Sequence, residues 1–474
     1  MTRDWIIAAI GIGGGFVLAY FVFLNGAYLL LTAAAFPAMR RYARRLQSVD
    51  VEDLSRPGVA LPVTLIAPAY NEEATCVEAV RSLLTLRYPD YEIIVVNDGS
   101  KDRTLETLRE TFALEPADRA PTAEIGHQPV RGCWHSRRHP GLWVLDKEHG
   151  GGKADGLNAG LAYCRTPLFC ALDADTLLER DALSRIVRVF LEDSRTIAAG
   201  GSIRIVNDSV VERGALVRIR LPKRLLPRLQ VLEYLRSFLA GRMGWDTIGG
   251  TLIISGAFGL FRRAAVVEAG GFATDTVGED MELTVRLHRV FRERGIPYRL
   301  TFLPDPVAWT ECPESWRDLG RQRDRWHRGL TEVMLRHRRM LLRRRYGVIG
   351  LVAYPYFFFL ETFGPILEAA GYVGFVVALA LGLVSPLYGT AFFLTALLLG
   401  SALSVAAVCL EELTFRRYPR ARDLAALMTI GVVEAFGYRQ VNSFWRVRGL
   451  VRAWRGVQGW GEMTRKGFAQ EKRT

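Results

Sequence analysis

Asp173 and Asp175 stand on either side of one alanine, directly after the apolar run Leu168-Phe169-Cys170-Ala171-Leu172. In extended backbone, side chains two residues apart point the same way, so both carboxylates can face one ligand. Paired carboxylates of this kind hold a hard divalent cation, Mg²⁺ or Mn²⁺, which completes its shell with phosphate oxygens and neutralises them. An Asp-rich turn at a strand end is the plainer alternative. Farther along, Gly278-Glu279-Asp280 opens a helical segment with two more carboxylates. A carboxylate there can take the proton of an attacking hydroxyl, and Asp280 is the candidate base with Glu279 beside it. Acidic residues also favour helix N-termini for electrostatic reasons alone.

Four other groups carry chemistry. Gly150-Gly151-Gly152-Lys153 permits close backbone approach to phosphate and adds a cation, without the G-x-x-x-x-G-K-[ST] spacing of a P-loop. Gln322-Arg323-Asp324-Arg325-Trp326 offers a guanidinium fork and a broad aromatic face. The same pattern suits an interfacial amphipathic helix. Asp98 closes Val95-Val96-Asn97-Asp98-Gly99-Ser100, where Gly99 lets the chain turn away and Ser100 can cap a helix. Pro68-Ala69-Tyr70-Asn71-Glu72 ends another strand-like run, and Gly256 in Ser255-Gly256-Ala257 leaves room for a ligand against the backbone.

These residues need a scaffold, and the pattern supplies one. Short apolar runs at 63–67, 91–96, 141–145, 168–172 and 298–303 read as strands. Stretches 72–86, 102–111, 154–164, 179–191 and 279–292 read as helices between or beside them. Alternation of this kind predicts an α/β domain with a mostly parallel sheet covered on both faces. Ligands then bind beyond the carboxyl ends of the strands, where Asp98, Asp173 and Asp175 fall. Residues 113–140, with scattered His127, Cys133 and His135, lack paired metal-ligand spacing and read as a surface loop. Residues 225–244 read as an amphipathic helix, 251–261 as an apolar small-residue segment, and 315–345 as a long basic helix.

The remainder is membrane-grade. Hydrophobic residues make up 50% of the 474 and mean hydropathy is +0.11. The excess gathers in 5–36 and 348–445. The first run exceeds the ~20 residues needed to span a bilayer and lacks a cleavage site. Residues 372–385 and 391–409 are further spanning candidates. Residues 354–367, with Pro355, Glu361 and Pro365, read as interfacial or pore-lining, and 424–445 carries Glu434, Arg439, Gln440 and Asn442. The net charge of +13 is largely arginine placed beside these runs, at 40–45, 336–345 and 416–422. That placement fits the positive-inside rule and a lipid bilayer, with the N-terminus outside and residue 40 onward in the cytosol. It excludes nucleic acid as a partner, since no base-reading motif accompanies the charge. Six cysteines without paired spacing suit a reduced compartment.

In this order and spacing, the motifs resemble the processive membrane glycosyltransferases of family 2, which include the cellulose, chitin, hyaluronan and poly-N-acetylglucosamine synthases. The likeness is close over residues 60–345 and looser in the flanks. It implies a cytosolic GT-A-type, Rossmann-like glycosyltransferase domain inserted between N-terminal and C-terminal transmembrane helices, with amphipathic interface helices. The implied layout is a membrane helix over 1–40, a linker over 41–60 and the GT-A domain over 61–313. Interface helices follow over 314–346, membrane helices over 347–445 and a basic cytosolic tail over 446–474.

By the same resemblance Asp175 is the metal ligand, with Asp173 beside it contacting the nucleotide. Pro68, Tyr70, Glu72, Asp98, Lys153, Gln322 and Arg325 hold a UDP-sugar donor. Asp280 is the catalytic aspartate, supported by Glu279, and Trp326 with Gly256 meets the acceptor. The implied activity is inverting, processive β-transfer from a UDP-sugar to a growing polysaccharide that is passed across the plasma (inner) membrane. The motif details lie nearest to the poly-N-acetylglucosamine synthases, hence UDP-N-acetylglucosamine. A small membrane subunit or an oligomer is compatible with it. A glycolipid synthase acting on ceramide or diacylglycerol shares the D-x-D and Q-x-x-R-W elements, and a non-catalytic membrane scaffold is the third reading.

Overall fold

The computed structural model describes residues 2–48, 60–212, 214–457 and 459. Helix α1 (Thr2–Ser48) runs unbroken for 47 residues. At 1.5 Å per residue this is roughly 70 Å, more than twice the ~30 Å hydrocarbon core of a bilayer. Its later turns rest on the α/β domain: Ala35, Ala38 and Met39 are buried, and the Tyr42 hydroxyl donates to Asp305 at 2.5 Å. The helix therefore passes residue 40 and carries its arginines to Ser48, into the linker that the resemblance implies over 41–60. Residues 49–59 of that linker lie outside the described residues.

The domain begins with β1 (Val63–Ala69), α2 (Cys76–Leu84), β2 (Tyr91–Asp98), α3 (Thr104–Phe112), β3 (Leu114–Pro116), β4 (Val130–Ser136) and β5 (Leu142–Lys147). It continues with α4 (Lys153–Tyr163), β6 (Leu168–Leu172), β7 (Leu177–Leu178), α5 (Ala182–Glu192), β8 (Thr196–Ile205), β9 (Val210–Glu212) and β10 (Ala215–Arg218). Helix α6 (Leu225–Tyr234) extends through the turns Leu235–Gly241 and Arg242–Thr247. Then come β11 (Phe258–Arg262), α7 (Arg263–Glu268), α8 (Glu279–Arg294), β12 (Arg299–Thr310) and α9 (Trp316–Arg336).

Ten strands form one sheet in the order β3-β4-β5-β2-β1-β6-β11-β8-β12-β7, with β9 and β10 paired apart. Strands β5, β2, β1 and β6 are parallel neighbours. Strand β11 is antiparallel to both β6 and β8, and β3, β4 and β5 pair antiparallel at the edge. The sheet is thus mixed, not mostly parallel. Two antiparallel edge strands also occupy the predicted surface loop of 113–140. Strand β4 is half-exposed, so it lacks the apolar run that marks a buried strand.

Strand β8, Thr-Ile-Ala-Ala-Gly-Gly-Ser-Ile-Arg-Ile, is buried at all ten positions, yet its small residues carry little β-propensity. Packing requires them. A Cβ on the neighbouring Gly259 would lie 2.7 Å from Ile254, and Gly200 faces the same side chain. Of the apolar segment 251–261, only 258–261 lies in a strand, β11. The long basic helix stops at Arg336 and is followed by short turns, Arg338–Met340 and Arg344–Tyr346. Its start is capped by Ser315, whose Oγ accepts the Asp318 N–H at 3.1 Å.

Among the described residues, three helical stretches are long and apolar enough to cross a membrane: Gly11–Arg45, Ile349–Ala380 and Gly389–Thr414. The second ends in α10 (Gly364–Ala380), and the third lies in α11 (Pro386–Thr414). Residues 354–367 and the start of 372–385 therefore belong to one stretch. Pro365 falls in the first turn of α10, where a missing N–H costs little. Residues 424–445 do not make one helix. They split into α12 (Ala421–Val433) and α13 (Tyr438–Trp454) at Gly437, whose φ is +96°. Most of the basic tail's start is thus helical through Trp454, and residues 460–474 lie outside the described residues.

Candidate active site

The carboxyl ends of β1, β2 and β6 open into a cavity of about 1170 Å³. Every residue singled out from the sequence lines it: Pro68, Tyr70, Glu72, Asp98, Lys153, Asp173, Asp175, Gly256, Glu279, Asp280, Gln322, Arg325 and Trp326. The same cavity continues between the membrane helices, past Tyr28 of α1, Glu361, Tyr372 of α10, and Ser443 and Arg446 of α13. The topology explains the convergence. Parallel β1, β2 and β6 end side by side, and α8 and α9 bring their motifs to the same rim.

At one end, Asp98 is buried and held on several sides. Its carboxylate accepts from the buried Lys147 ammonium, from the Gly150 N–H at 3.1 Å and from His149 Nδ1 at 3.0 Å. Lys147 also pairs with Asp155. The His149 ring stacks on Tyr70, with centroids 4.3 Å apart and planes 19° from parallel. Asn71, between Tyr70 and Glu72, adopts φ +55°. Its backbone N–H donates to Ser100 Oγ at 3.0 Å, which ties the β1 and β2 loops together.

At the centre, Lys153 donates to Asp173 Oδ1 at 2.5 Å and to the Gly256 carbonyl at 2.6 Å. Burial alone would lower the Lys153 pKa. The carboxylates of Asp173, Glu279 and Asp280 more than reverse this and raise it. The Gly256 N–H in turn donates to Asp280 Oδ2 at 2.9 Å, and Met281 N–H holds Asp280 Oδ1 at 2.7 Å. Gly256 is thus a bridge between Lys153 and Asp280, and an added Cβ there would meet Lys153 Nζ at 3.0 Å. Glu279 is buried, and its carboxyl is held well above the usual carboxylate range by burial first and by the adjacent Asp280 second.

Beyond Asp280, α9 presents Gln322, Arg325 and Trp326 to the cavity. The Arg323 guanidinium lies 4.2 Å over the Trp326 ring and pairs with Glu233 at 2.8 Å. It also donates to Gln322 Oε1 at 2.9 Å. Asp324 is buried and accepts from Arg448 at 2.7 Å and Arg452 at 3.2 Å, which fastens α9 to α13.

Lys147, His149, Arg242 and Arg323 were not identified from the sequence. Lys147 and Asp98 are register partners in the β2–β5 ladder, a pairing that sequence spacing does not carry. Arg242 lines the cavity, and burial holds its guanidinium down to about 10 with Asp280 opposing.

Among the described residues, no group of three or more His, Cys, Asp or Glu side chains could hold a metal ion. Asp173 and Asp175 both line the cavity. Two carboxylates fit a hard divalent ion that keeps waters and takes substrate phosphate oxygens.

A mixed α/β domain with acidic motifs at its strand ends, set against membrane-grade helices, defines the class of membrane-associated glycosyltransferases. The family model for glycosyl transferase family group 2 matches residues 168–405, and that for glycosyl transferase family 2 matches residues 64–268. The chain belongs to this family, and its fold is the mixed α/β, Rossmann-like GT-A type.

Poly-beta-1,6-N-acetyl-D-glucosamine synthase of Staphylococcus aureus (strain COL) is 28% identical over 324 residues, 68% of this chain and 66% of that protein. The enzyme of that name from Staphylococcus epidermidis is 27% identical over 321 residues, with the same coverage. The chain thus spans just under two thirds of the length of these relatives. The mannosyltransferase PcManGT from Pyrobaculum calidifontis, solved with GDP-Man and Mn²⁺, is 22% identical. That likeness covers 88% of this chain and 99% of the other at a TM-score of 0.48, too slight to carry an argument.

Proposed function

We propose that the protein is a membrane-embedded, inverting and processive β-glycosyltransferase that polymerises a sugar from a UDP-sugar and passes the product across the membrane. One observation carries this reading: the cavity that gathers Asp98, Asp173, Asp175, Asp280 and Trp326 runs on between the membrane helices to Tyr372 and Ser443. Polar and ionisable side chains are costly in a membrane unless they face a cavity or one another. A hydroxyl-rich polymer is a suitable occupant. The name of the staphylococcal relatives supports N-acetylglucosamine as the sugar. The arginine clusters support a multi-pass inner-membrane protein with its catalytic domain in the cytosol.

In this reading Tyr70, Glu72 and Asp98 hold the uracil end, and Lys153, Asp173, Gln322 and Arg325 hold the diphosphate end. Asp175, with Asp173, would hold Mg²⁺ or Mn²⁺, which supplies neutralisation of the leaving diphosphate. Asp280 takes the proton from the acceptor hydroxyl as its oxygen bonds to the donor's anomeric carbon. The bond from that carbon to the diphosphate oxygen breaks, and UDP leaves with the electron pair. Trp326 supports the acceptor ring, with Gly256 keeping Asp280 in place.

The test is incubation of the purified full-length protein with single radiolabelled UDP-sugars, with and without chelator, followed by glycosidase digestion and sizing. A long polymer from one sugar, abolished by chelation and restored by Mg²⁺ or Mn²⁺, is expected. A lipid carrying one sugar would establish the glycolipid reading instead, and absence of UDP release would leave the scaffold.

A further inference from the structure

We propose that a slot between α1 and α11 holds an acyl chain of an anionic phospholipid whose headgroup is bound by arginines at its rim. The slot has a volume of about 420 Å³ and is lined by Leu29, Thr32, Ala33 and Phe36 of α1 and by Ala406, Cys409 and Leu410 of α11. It shares no lining residue with the catalytic cavity. The single hydroxyl apart, its walls offer only hydrocarbon and a thiol, so a methylene chain suits it and a sugar does not.

Charge gives the slot a direction. Positions 29, 33 and 36 of α1 continue at three- and four-residue spacing to Arg40 and Arg44, hence along one face of the helix. Both arginines are exposed. The Arg40 guanidinium lies 4.4 Å from the centroid of the Phe36 ring, which places that cation at the lip. On α11, positions 406, 409 and 410 continue to Leu413, and Arg416 follows just past the helix's end at Thr414. The Arg416 side chain is 75% exposed and only 3.7 Å-close to Glu412. The other acid at this end, Glu411, is buried against Arg204. Residues 11–39 and 386–410 carry no charged side chain, so the cations, Arg40 and Arg44 on α1 and Arg416 after α11, gather at one end of the two helices.

Basic pockets between membrane helices on the cytosolic side are suited to anionic headgroups, and each cation near such a surface adds a several-fold preference. Arg40, Arg44 and Arg416 together give a tenfold or greater preference for an anionic over a zwitterionic lipid, by that order of magnitude. The inference depends on α1 and α11 crossing the bilayer and on no catalytic assignment.

Native mass spectrometry of the full-length protein, given phosphatidylglycerol or phosphatidylcholine with identical acyl chains, tests it. Wild type should retain phosphatidylglycerol about tenfold better or more. Arg40→Gln/Arg44→Gln/Arg416→Gln should lose the preference. Ala33→Phe, which fills the slot and leaves every arginine, should lose retention of both lipids. Equal retention of the two lipids by wild type overturns the proposal. So does unchanged phosphatidylglycerol retention in Ala33→Phe, which would assign the attraction to the bilayer surface in general. Displacement by inorganic phosphate would overturn it as well, because the headgroup alone would then suffice. A wild-type-like melting temperature is the folding control, and Ala406→Leu replaces Ala33→Phe if the latter fails to fold.

Discussion

Asp280 has both carboxylate oxygens held by backbone N–H groups, those of Gly256 and Met281. This fixes its direction, as the proposed role of base requires. Asp280→Asn keeps the shape and removes the base, so turnover should fall about 10²–10⁴-fold. UDP-sugar affinity, read by calorimetry, should stay near wild type. Near-normal polymerisation by this variant would move the base elsewhere, with Glu279 next to test. His149 makes a different prediction. Its Nδ1 is anchored on Asp98 and its ring backs Tyr70, so it stiffens one wall of the proposed nucleotide end. His149→Ala should weaken UDP binding with little change in the saturated rate, and His149→Phe should recover part of it. Asp98, Asp173 and Asp280 could be read from the chain because each stands in a short motif at a strand or helix end. His149 and Lys147 could not, since their meaning comes from a neighbouring strand.

At the scale of elements, α8 is tied to the irregular segment before β11 through His288. Its Nε2 donates to the Thr251 carbonyl at 2.7 Å, and its Nδ1 accepts from the Tyr298 hydroxyl at 2.7 Å. Burial lowers the His288 pKa to about 4 from 6.5. The unfolded chain therefore binds the proton first as pH falls. The stability given by neutral His288 is complete above 6.5 and is lost as pH drops towards 4, by roughly 3 kcal/mol. Asp246, which burial raises to about 6, titrates in the opposite sense. The comparison of wild type with His288→Gln isolates the histidine: the melting temperature of the variant should change less between pH 7 and pH 4.5. A parallel acid slope in both proteins would refute the assignment. Helix α8 was legible because the acidic residues Glu279 and Asp280 mark its start. Strand β8 was not, because Gly200 at its centre answers to Ile254 in the irregular segment before β11 and not to any periodicity.

For the whole molecule, the two ends of the chain's membrane part follow from one count. In the proposed arrangement, three crossings with an outside N-terminus return the chain to the cytosol after α11, where Arg416 and Arg417 lie. Cysteines introduced at Arg3, Ser100, Arg321 and Arg416 should label from outside, inside, inside and inside respectively. External labelling at Ser100 would end the mechanism, since UDP-sugars are cytosolic. The presence of membrane segments was plain in the hydropathy, but not where one ended and the next began. Polar residues inside them are paid for by partners far along the chain.

Those partners have a practical consequence. Arg204 of β8 is buried on Glu411 of α11, Asp305 of β12 takes the Tyr42 hydroxyl of α1, and Arg236 meets Glu434 at 2.5 Å. Removing one member of a buried ion pair costs about 3–5 kcal/mol, comparable to much of a domain's net stability. A truncation to residues 61–313 would orphan several at once. The catalytic part is not a detachable cassette: expressed alone it should aggregate, and a single unfolding transition should span both halves of the intact protein.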